Sequence, residues 1–115
     1  MPFYGSPQTD CLTATGSEGS TLTAIKTTNA KMFGYYIFNS NSSTVYMQVF
    51  DDTTANITLG TTSPKLSLGI PAGAGANLIS TNGITFANAI TIAFTTTRSG
   101  STAPTNTVDY NIFYI

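Results

Sequence analysis

The 115-residue sequence contains no histidine, no tryptophan and a single cysteine, and only 8% of its residues are charged. General acid–base catalysis near neutral pH usually depends on histidine or on paired carboxylates with shifted pKa values. Zinc sites are built from cysteine and histidine ligands, which are missing here. The composition therefore argues against an enzyme, and we predict no catalytic, cofactor-binding or metal-binding residues.

The adjacent carboxylates Asp51 and Asp52 are the closest acidic pair in the chain. Their side chains point to opposite faces if the backbone is extended, which does not suit shared acid–base work. Together with Asn56 they supply some of the oxygen ligands that Ca²⁺ prefers, although no calcium-loop motif surrounds them. We interpret the pair as turn residues rather than as a catalytic or calcium site.

The low charge also limits the kinds of partner that the protein binds. A net charge of −1 provides no basic surface for nucleic acid. No apolar run approaches the ~20 residues of a membrane span, so we expect no membrane insertion. The exposed surface must be built from neutral Thr, Ser, Asn and Gly side chains, which lose less on desolvation than ions do. Such a surface suits broad contact with other subunits, and it predicts a protein that works inside an assembly.

The start of the chain has neither a basic nor an apolar signal segment, which predicts synthesis in the cytoplasm. Cys11 has no partner for an intramolecular disulfide, consistent with a reducing compartment. A reactive thiol is one interpretation of Cys11. A tolerated thiol is the alternative we favour, because no histidine is present to activate it.

Alternation of apolar and polar residues predicts β-strands from Thr21 onward. Residues 32–38 are apolar on both faces, which is typical of a central strand, and residues 45–49 place Val45, Met47 and Val49 on one face. The turn-like residues 39–42 between them predict a hairpin. Asn82-Gly83 predicts a tight turn with positive φ.

These signals predict an all-β fold, an antiparallel β-sandwich of jelly-roll or immunoglobulin-like type with seven to eight short strands. We assign residues 21–115 to the sandwich. Residues 1–20 contain Gly and Pro without a sustained period, and we assign them to an extended N-terminal arm, with a frayed terminus as the alternative.

Aromatic residues provide the candidate interface. Tyr46 is expected to face outward, since its neighbours occupy the inner face, and Pro2, Phe3 and Tyr4 are expected to dock the arm onto a neighbouring subunit. For most of the six tyrosines core packing is the simpler expectation, and a sugar-stacking platform is the alternative.

Six segments have a sequence pattern similar to that of a known class of small all-β proteins: residues 45–51, 57–64, 68–73, 83–86, 89–93 and 100–104. In strand order and style they resemble the capsid decoration, or cement, proteins of tailed bacteriophages. The resemblance covers residues 21–115 and contains no catalytic motif.

The resemblance implies a capsid cement protein on the outer surface of the virion, a homotrimer that bridges subunits of the major capsid protein. By binding the assembled lattice alone, such a protein would stabilise it through mass action and multivalent contact. The alternative function is a carbohydrate- or receptor-binding module of a tail fibre or head surface, with a glycan as partner.

Overall fold

The computed structural model describes residues 11–115, which form eight β-strands and one turn of 3-10 helix at Thr54–Asn56. The strands are β1 (Leu12–Glu18), β2 (Thr23–Lys26), β3 (Ala30–Asn39), β4 (Val45–Phe50), β5 (Leu66–Ile70), β6 (Ala74–Phe86), β7 (Ile90–Thr95) and β8 (Val108–Tyr114). Sheet I has the order β1-β8-β3-β6 and sheet II the order β2-β7-β4-β5. All neighbours are antiparallel. The predicted antiparallel sandwich is confirmed.

The strand pairs are nested along the chain. β1 pairs with β8, β2 with β7, β3 with β6 and β4 with β5. This nesting, wrapped into two sheets, is the jelly-roll arrangement. The predicted hairpin between residues 32–38 and 45–49 is wrong, because β3 lies in sheet I and β4 in sheet II. Residues 39–42 cross between the sheets, and a turn signal alone does not distinguish a crossing from a hairpin.

The core lies between the two sheets. Val45, Met47 and Val49 are fully buried, as their alternation predicts. Phe86 of sheet I and Phe94 of sheet II belong to the same cluster and are also fully buried. Burial of such side chains stabilises the fold by about 1.5–3 kcal/mol each.

The outer face of sheet II is covered by the protein's own loops. Gln48 and Thr91 point away from the inter-sheet core, yet both are fully buried. The Gln48 Nε2 group donates to Thr95 Oγ1 (2.7 Å) and to the Gly100 carbonyl (3.0 Å). Thr91 Oγ1 donates to the Asp52 carbonyl at 2.7 Å. The segments that follow β4 and β7 therefore seal this face.

The two covering segments also meet each other. A Cβ atom added at Gly60 would lie 3.2 Å from Ser101 Cβ, which shows how closely the segments pack. Gly60 has a φ of +91°, a conformation that favours glycine. Ser67 Oγ, on β5, donates to the Arg98 carbonyl at 2.6 Å. The cover is thus held to the sheet as well as to itself.

Part of the predicted arm is a strand of sheet I. Residues 12–18, placed in the arm by sequence, form β1 along β8, while residues 1–10 lie outside the described residues. The β1 pattern was hard to recognise because small residues, Ala14 and Gly16, occupy its inward side. Gly16 leaves room for Tyr110, whose hydroxyl would lie 2.9 Å from an added Cβ. The division at residue 20 remains a prediction for the part of the arm that is not described.

Asp51 joins the end of β4 to the connection between β6 and β7. Its carboxylate accepts hydrogen bonds from the backbone N–H groups of Asn88 (2.8 Å), Ala87 (3.0 Å) and Ala89 (3.3 Å). Asp52 accepts from the Thr53 N–H at 2.8 Å. Both carboxylates are thus engaged by protein donors, as turn residues are.

Partial burial raises the pKa of Asp51, but the three backbone donors and Lys65 lower it, and the net result is a pKa below the usual value. Ionised Asp51 therefore stabilises the fold above the unfolded-state pKa, near pH 4, and this contribution is lost as the pH falls through the lower folded-state pKa. We expect Asp51→Asn to lower stability by on the order of 1 kcal/mol at neutral pH. The difference from wild type should shrink below about pH 4.

Thermal melts of both proteins from about pH 7 down to pH 2 measure this difference. Asn88→Ala is the matched control, because it removes the side-chain bond to the Asp51 carbonyl and keeps the backbone donors. The control should change stability equally at every pH. A gap between Asp51→Asn and wild type that stays constant to the lowest pH would contradict this role.

Candidate interaction surface

The outer face of sheet I carries large apolar side chains and no covering loop among residues 11–115. Tyr36 is 49% exposed, Phe38 48% and Ile79 69%. Phe113, half-buried, lies beside them and meets Tyr36 edge to face, with ring centroids 5.8 Å apart. We call Tyr36, Phe38, Ile79 and Phe113 the apolar patch.

The register of sheet I places these side chains together. Gly34 of β3 lies opposite Ile79 of β6 and Phe113 of β8. Residues directly opposite each other in neighbouring strands point to the same face. Tyr36, two positions along β3 from Gly34, therefore projects from the same face. Three strands that are distant in sequence thus build one surface.

Gly34 allows β6 to approach β3 closely at this point. A Cβ atom there would overlap the Leu78 carbonyl oxygen and lie 3.3 Å from the Ile79 Cα. The ladder between β3 and β6 also changes register between Met32 and Gly34, which marks a bulge. The close approach and the bulge hold Ile79 at the surface.

A groove of about 480 Å³ borders the patch. It is lined by Cys11, Phe33, Ile79, Ser80, Thr81 and Phe113. Its wall includes an irregular part of β6, where the Gly83 N–H donates to Ser80 Oγ at 3.1 Å. The positive φ predicted at Gly83 is confirmed at +77°. Residues 80–83 have no pairing partner on β3, so the chain reverses locally as a bulge within β6 and not as a hairpin turn.

Two charged residues of the described strands point outward from sheet I. Lys31 is exposed between the buried residues Ala30 and Met32 at the start of β3. Asp109 is exposed near the start of β8, and its carboxylate accepts a hydrogen bond from Ser17 Oγ. Because β3 and β8 are antiparallel, the two charges lie at opposite ends of the face.

The predicted interface residues lie elsewhere. Tyr46 is half-buried on the outer side of sheet II, opposite Gly69, and its Cε2 atom would lie 3.3 Å from a Cβ added there. The Tyr46 side chain points away from the inter-sheet core, as its alternation with apolar residues predicts. It lies on sheet II, however, whereas the apolar patch lies on sheet I. Pro2, Phe3 and Tyr4 lie outside the described residues. The interface role of these four residues stays a prediction.

The sequence contained one signal of the patch. Residues 32–38 were recognised as apolar on both faces, but this was interpreted as burial inside a central strand. β3 is indeed flanked by β8 and β6, yet its outward side chains have no covering layer from residues 11–115. Central position within a sheet and burial of both faces are separate properties.

None of the helical segments among residues 11–115 is long and apolar enough to cross a membrane. Nor do these residues hold a group of three or more His, Cys, Asp or Glu side chains that could bind a metal ion together.

Comparison with known proteins returns no matching family model and no matching curated protein. Among solved structures, the fold is similar to a chain from the disulfide-linked pili that form Bacillus endospore appendages. The match has 11% sequence identity and a TM-score of 0.46, and it covers 91% of this chain and 83% of that chain. At this level the similarity concerns the fold.

The expected resemblance to phage capsid decoration proteins is wrong, because the solved chain that matches is a pilus protein. Three predictions that depended on it are also wrong: the capsid cement function, its glycan- or receptor-binding alternative and the virion location. Thr-rich alternating strands separated by Gly and Pro turns are shared by β-sandwiches generally, and a fold does not specify its partner.

Proposed function

We propose that this protein is a structural subunit that associates with further copies of itself, and that it is not an enzyme. The observation that supports this most strongly is the unequal cover of the two sheets. Loops of the same chain seal the outer face of sheet II, where Gln48 and Thr91 are fully buried. The outer face of sheet I instead exposes Tyr36, Phe38 and Ile79.

Exposed apolar side chains on one face favour association. Complete burial of a large apolar side chain is worth about 1.5–3 kcal/mol, so covering the exposed parts of three provides a few kcal/mol. Contiguous apolar patches on soluble proteins commonly mark interaction sites. Around the patch lie neutral side chains such as Asn77 and Asn111, which cost less to desolvate than ions.

A second copy of the chain is the partner that the charges favour. The net charge of −1 gives little repulsion between copies. The described strands place one positive and one negative side chain on the face, Lys31 and Asp109, so two such faces can meet without a net excess of either sign.

The chemistry of the described residues supports a structural role. Asp51 and Asp52 are engaged in local hydrogen bonds that hold turns. The solved chain with a similar fold comes from disulfide-linked pili. The present sequence has one cysteine, so each copy can form at most one intermolecular disulfide, which joins copies only in pairs. An assembly larger than a pair therefore requires non-covalent contacts between copies.

We expect Ile79→Ser and Phe38→Ser each to weaken self-association about tenfold, because each removes apolar area from the patch. Sedimentation velocity of Cys11→Ser protein over a wide concentration range measures the equilibrium without disulfide formation. Circular dichroism melts of each variant establish that the fold is retained.

Tyr46→Ser is the matched control, since it removes an aromatic side chain from the outer side of sheet II. It should leave the dissociation constant unchanged if the patch forms the contact. Loss of association in Tyr46→Ser, or in a chain lacking residues 2–10, would instead support the interface predicted from sequence. The same data distinguish a dimer from the trimer that the sequence resemblance implied. Wild-type protein that stays monomeric at every concentration would refute the proposed function.

A further inference from the structure

The outer face of sheet I has the charge arrangement of a self-complementary surface. Lys31 pairs with Ile115 through two backbone hydrogen bonds, of 3.1 and 3.0 Å, at one end of the face. Asp109 lies opposite Phe38 at the other end. Six residue steps along β8 separate these two rows, about 20 Å at ~3.3 Å per residue.

The Tyr36–Phe113 pair of the apolar patch lies between the two charges. The midpoint of the ladder between Lys31 and Asp109 is the row in which Tyr35 of β3 pairs with Ile112 of β8. Tyr36 and Phe113 lie on the rows immediately on either side of this midpoint. The aromatic pair is therefore near the centre of the face, and the charges are at its ends.

Resting on the self-association proposed above, we infer that two copies pair face to face through the outer faces of sheet I, about a two-fold axis that lies between the sheets and runs across the strands. Such an axis exchanges the strand ends, so that Lys31 of each copy lies towards Asp109 of the other. It also brings the two Tyr36–Phe113 pairs together at the centre. An interface of this kind is isologous, with the same surface contributed by both copies.

The charges select this axis over the other two-fold arrangement of stacked sheets. A two-fold axis parallel to the strands would keep equivalent strand ends of the two copies next to each other. It would therefore place Lys31 towards Lys31 and Asp109 towards Asp109. Like charges across an interface disfavour that pairing, whereas opposite charges fix the orientation. The apolar patch is common to both arrangements, so it provides affinity but does not choose between them.

The size of the face sets the expected strength. The four strands are seven to thirteen residues long and spaced about 4.8 Å apart, so they cover on the order of 600 Å² in plan. A stable complex typically buries about 800 Å² per partner. The pairing is therefore expected to be weak and concentration-dependent in solution, and it gains effective strength where copies are held together in an assembly.

Charge reversal tests the orientation directly. In a Cys11→Ser background, Lys31→Asp and Asp109→Lys should each raise the dimer dissociation constant about tenfold at low salt, because each replaces two attractive contacts by two repulsive ones. The double variant Lys31→Asp/Asp109→Lys restores opposite charges and should return to within about threefold of wild type. Raising the salt concentration should reduce all of these differences.

Two controls address side effects of these changes. Lys26→Asp makes the same charge reversal on β2 of sheet II and should leave the dissociation constant unchanged. Ser17→Ala removes the hydrogen bond that Asp109 accepts without altering charge. Thermal melts of each variant report whether the monomer still folds.

The outcomes separate this inference from the function on which it rests. Rescue in the double variant supports the two-fold pairing. Single variants that behave as wild type, or a double variant that is no better than the singles, overturn it, while the proposed self-association stands if Ile79→Ser still weakens the complex. A wild-type protein that is monomeric throughout overturns both.

Discussion

Gly34→Ala is expected to lower the free energy of unfolding by about 3 kcal/mol, because the added methyl group would overlap the Leu78 carbonyl oxygen. Backbone atoms cannot rotate aside as the end of a flexible side chain can, so β6 must shift away from β3. That shift moves Ile79, whose Cα lies 3.3 Å from the added atom, and with it the edge of the apolar patch. Stability and self-association should therefore fall together.

Urea denaturation measures the loss in stability, and sedimentation of the folded variant measures the loss in association. Gly19→Ala is the matched control, because a Cβ at Gly19 would meet no atom within 4 Å. It should change stability by less than about 0.5 kcal/mol. A Gly34→Ala protein as stable as this control would show that the two strands are not as close as described.

The second large effect is expected at Asn39, a fully buried residue at the end of β3. Its Nδ2 group donates to the carbonyls of Ser43 (3.0 Å), Ile70 (3.0 Å) and Pro71 (3.2 Å). Its Oδ1 atom accepts from the backbone N–H and the side-chain amide of Asn41, both at 2.9 Å. We expect Asn39→Ala to cost about 3 kcal/mol, because several buried polar groups lose their partners at once.

Asn39→Asp tests the reason for this loss. It retains an acceptor for Asn41 but replaces the donor by an oxygen that faces the Ile70 and Pro71 carbonyls. It should be at least as destabilising as Asn39→Ala at neutral pH. Asn77→Ala, at an exposed position of β6, is the control and should be nearly neutral. An Asn39→Ala protein within about 1 kcal/mol of wild type would contradict the role of this network.

The sandwich could be predicted because strand periodicity reports which side of each strand is buried. Val45, Met47 and Val49 recur at every second position, and all three are in the core. Periodicity does not report which strands pair. The predicted partner of β4 was β3, whereas its neighbours are β5 and β7. In a jelly roll the first and last strands pair, and that choice depends on contacts distant in sequence.

Buried polar residues were the second difficulty. Gln48 lies on the side of β4 opposite Met47 and Val49, and alternation alone predicts that a polar residue there faces solvent. The structure buries it because the segment containing Gly100 folds over sheet II. Asn39 and Asn41 were interpreted as turn residues, but their side chains bind to Asn106 and to the end of β5. No local pattern reveals partners that lie 31 to 65 positions away in the sequence.

The candidate site could not be predicted for the same reason. Tyr36, Ile79 and Phe113 belong to three strands and become neighbours only through the register of sheet I. Tyr46 was selected only because it alternates with inward-facing residues. That pattern identifies an outward side chain, but it does not show whether a loop covers that side chain. The resemblance to capsid proteins rested on features that many sandwiches share, so it indicated the fold and not the partner.

The most direct test of the central claim, that copies associate through the outer face of sheet I, is covalent footprinting of the wild-type protein with mass spectrometry. Labelling of aromatic side chains is compared between dilute and concentrated samples. The proposal predicts that Tyr36 and Phe38 become protected on association, while Tyr46 on sheet II labels equally in both. Equal labelling of Tyr36 and Phe38 in a sample shown to be associated, or protection of Tyr46 instead, would contradict it.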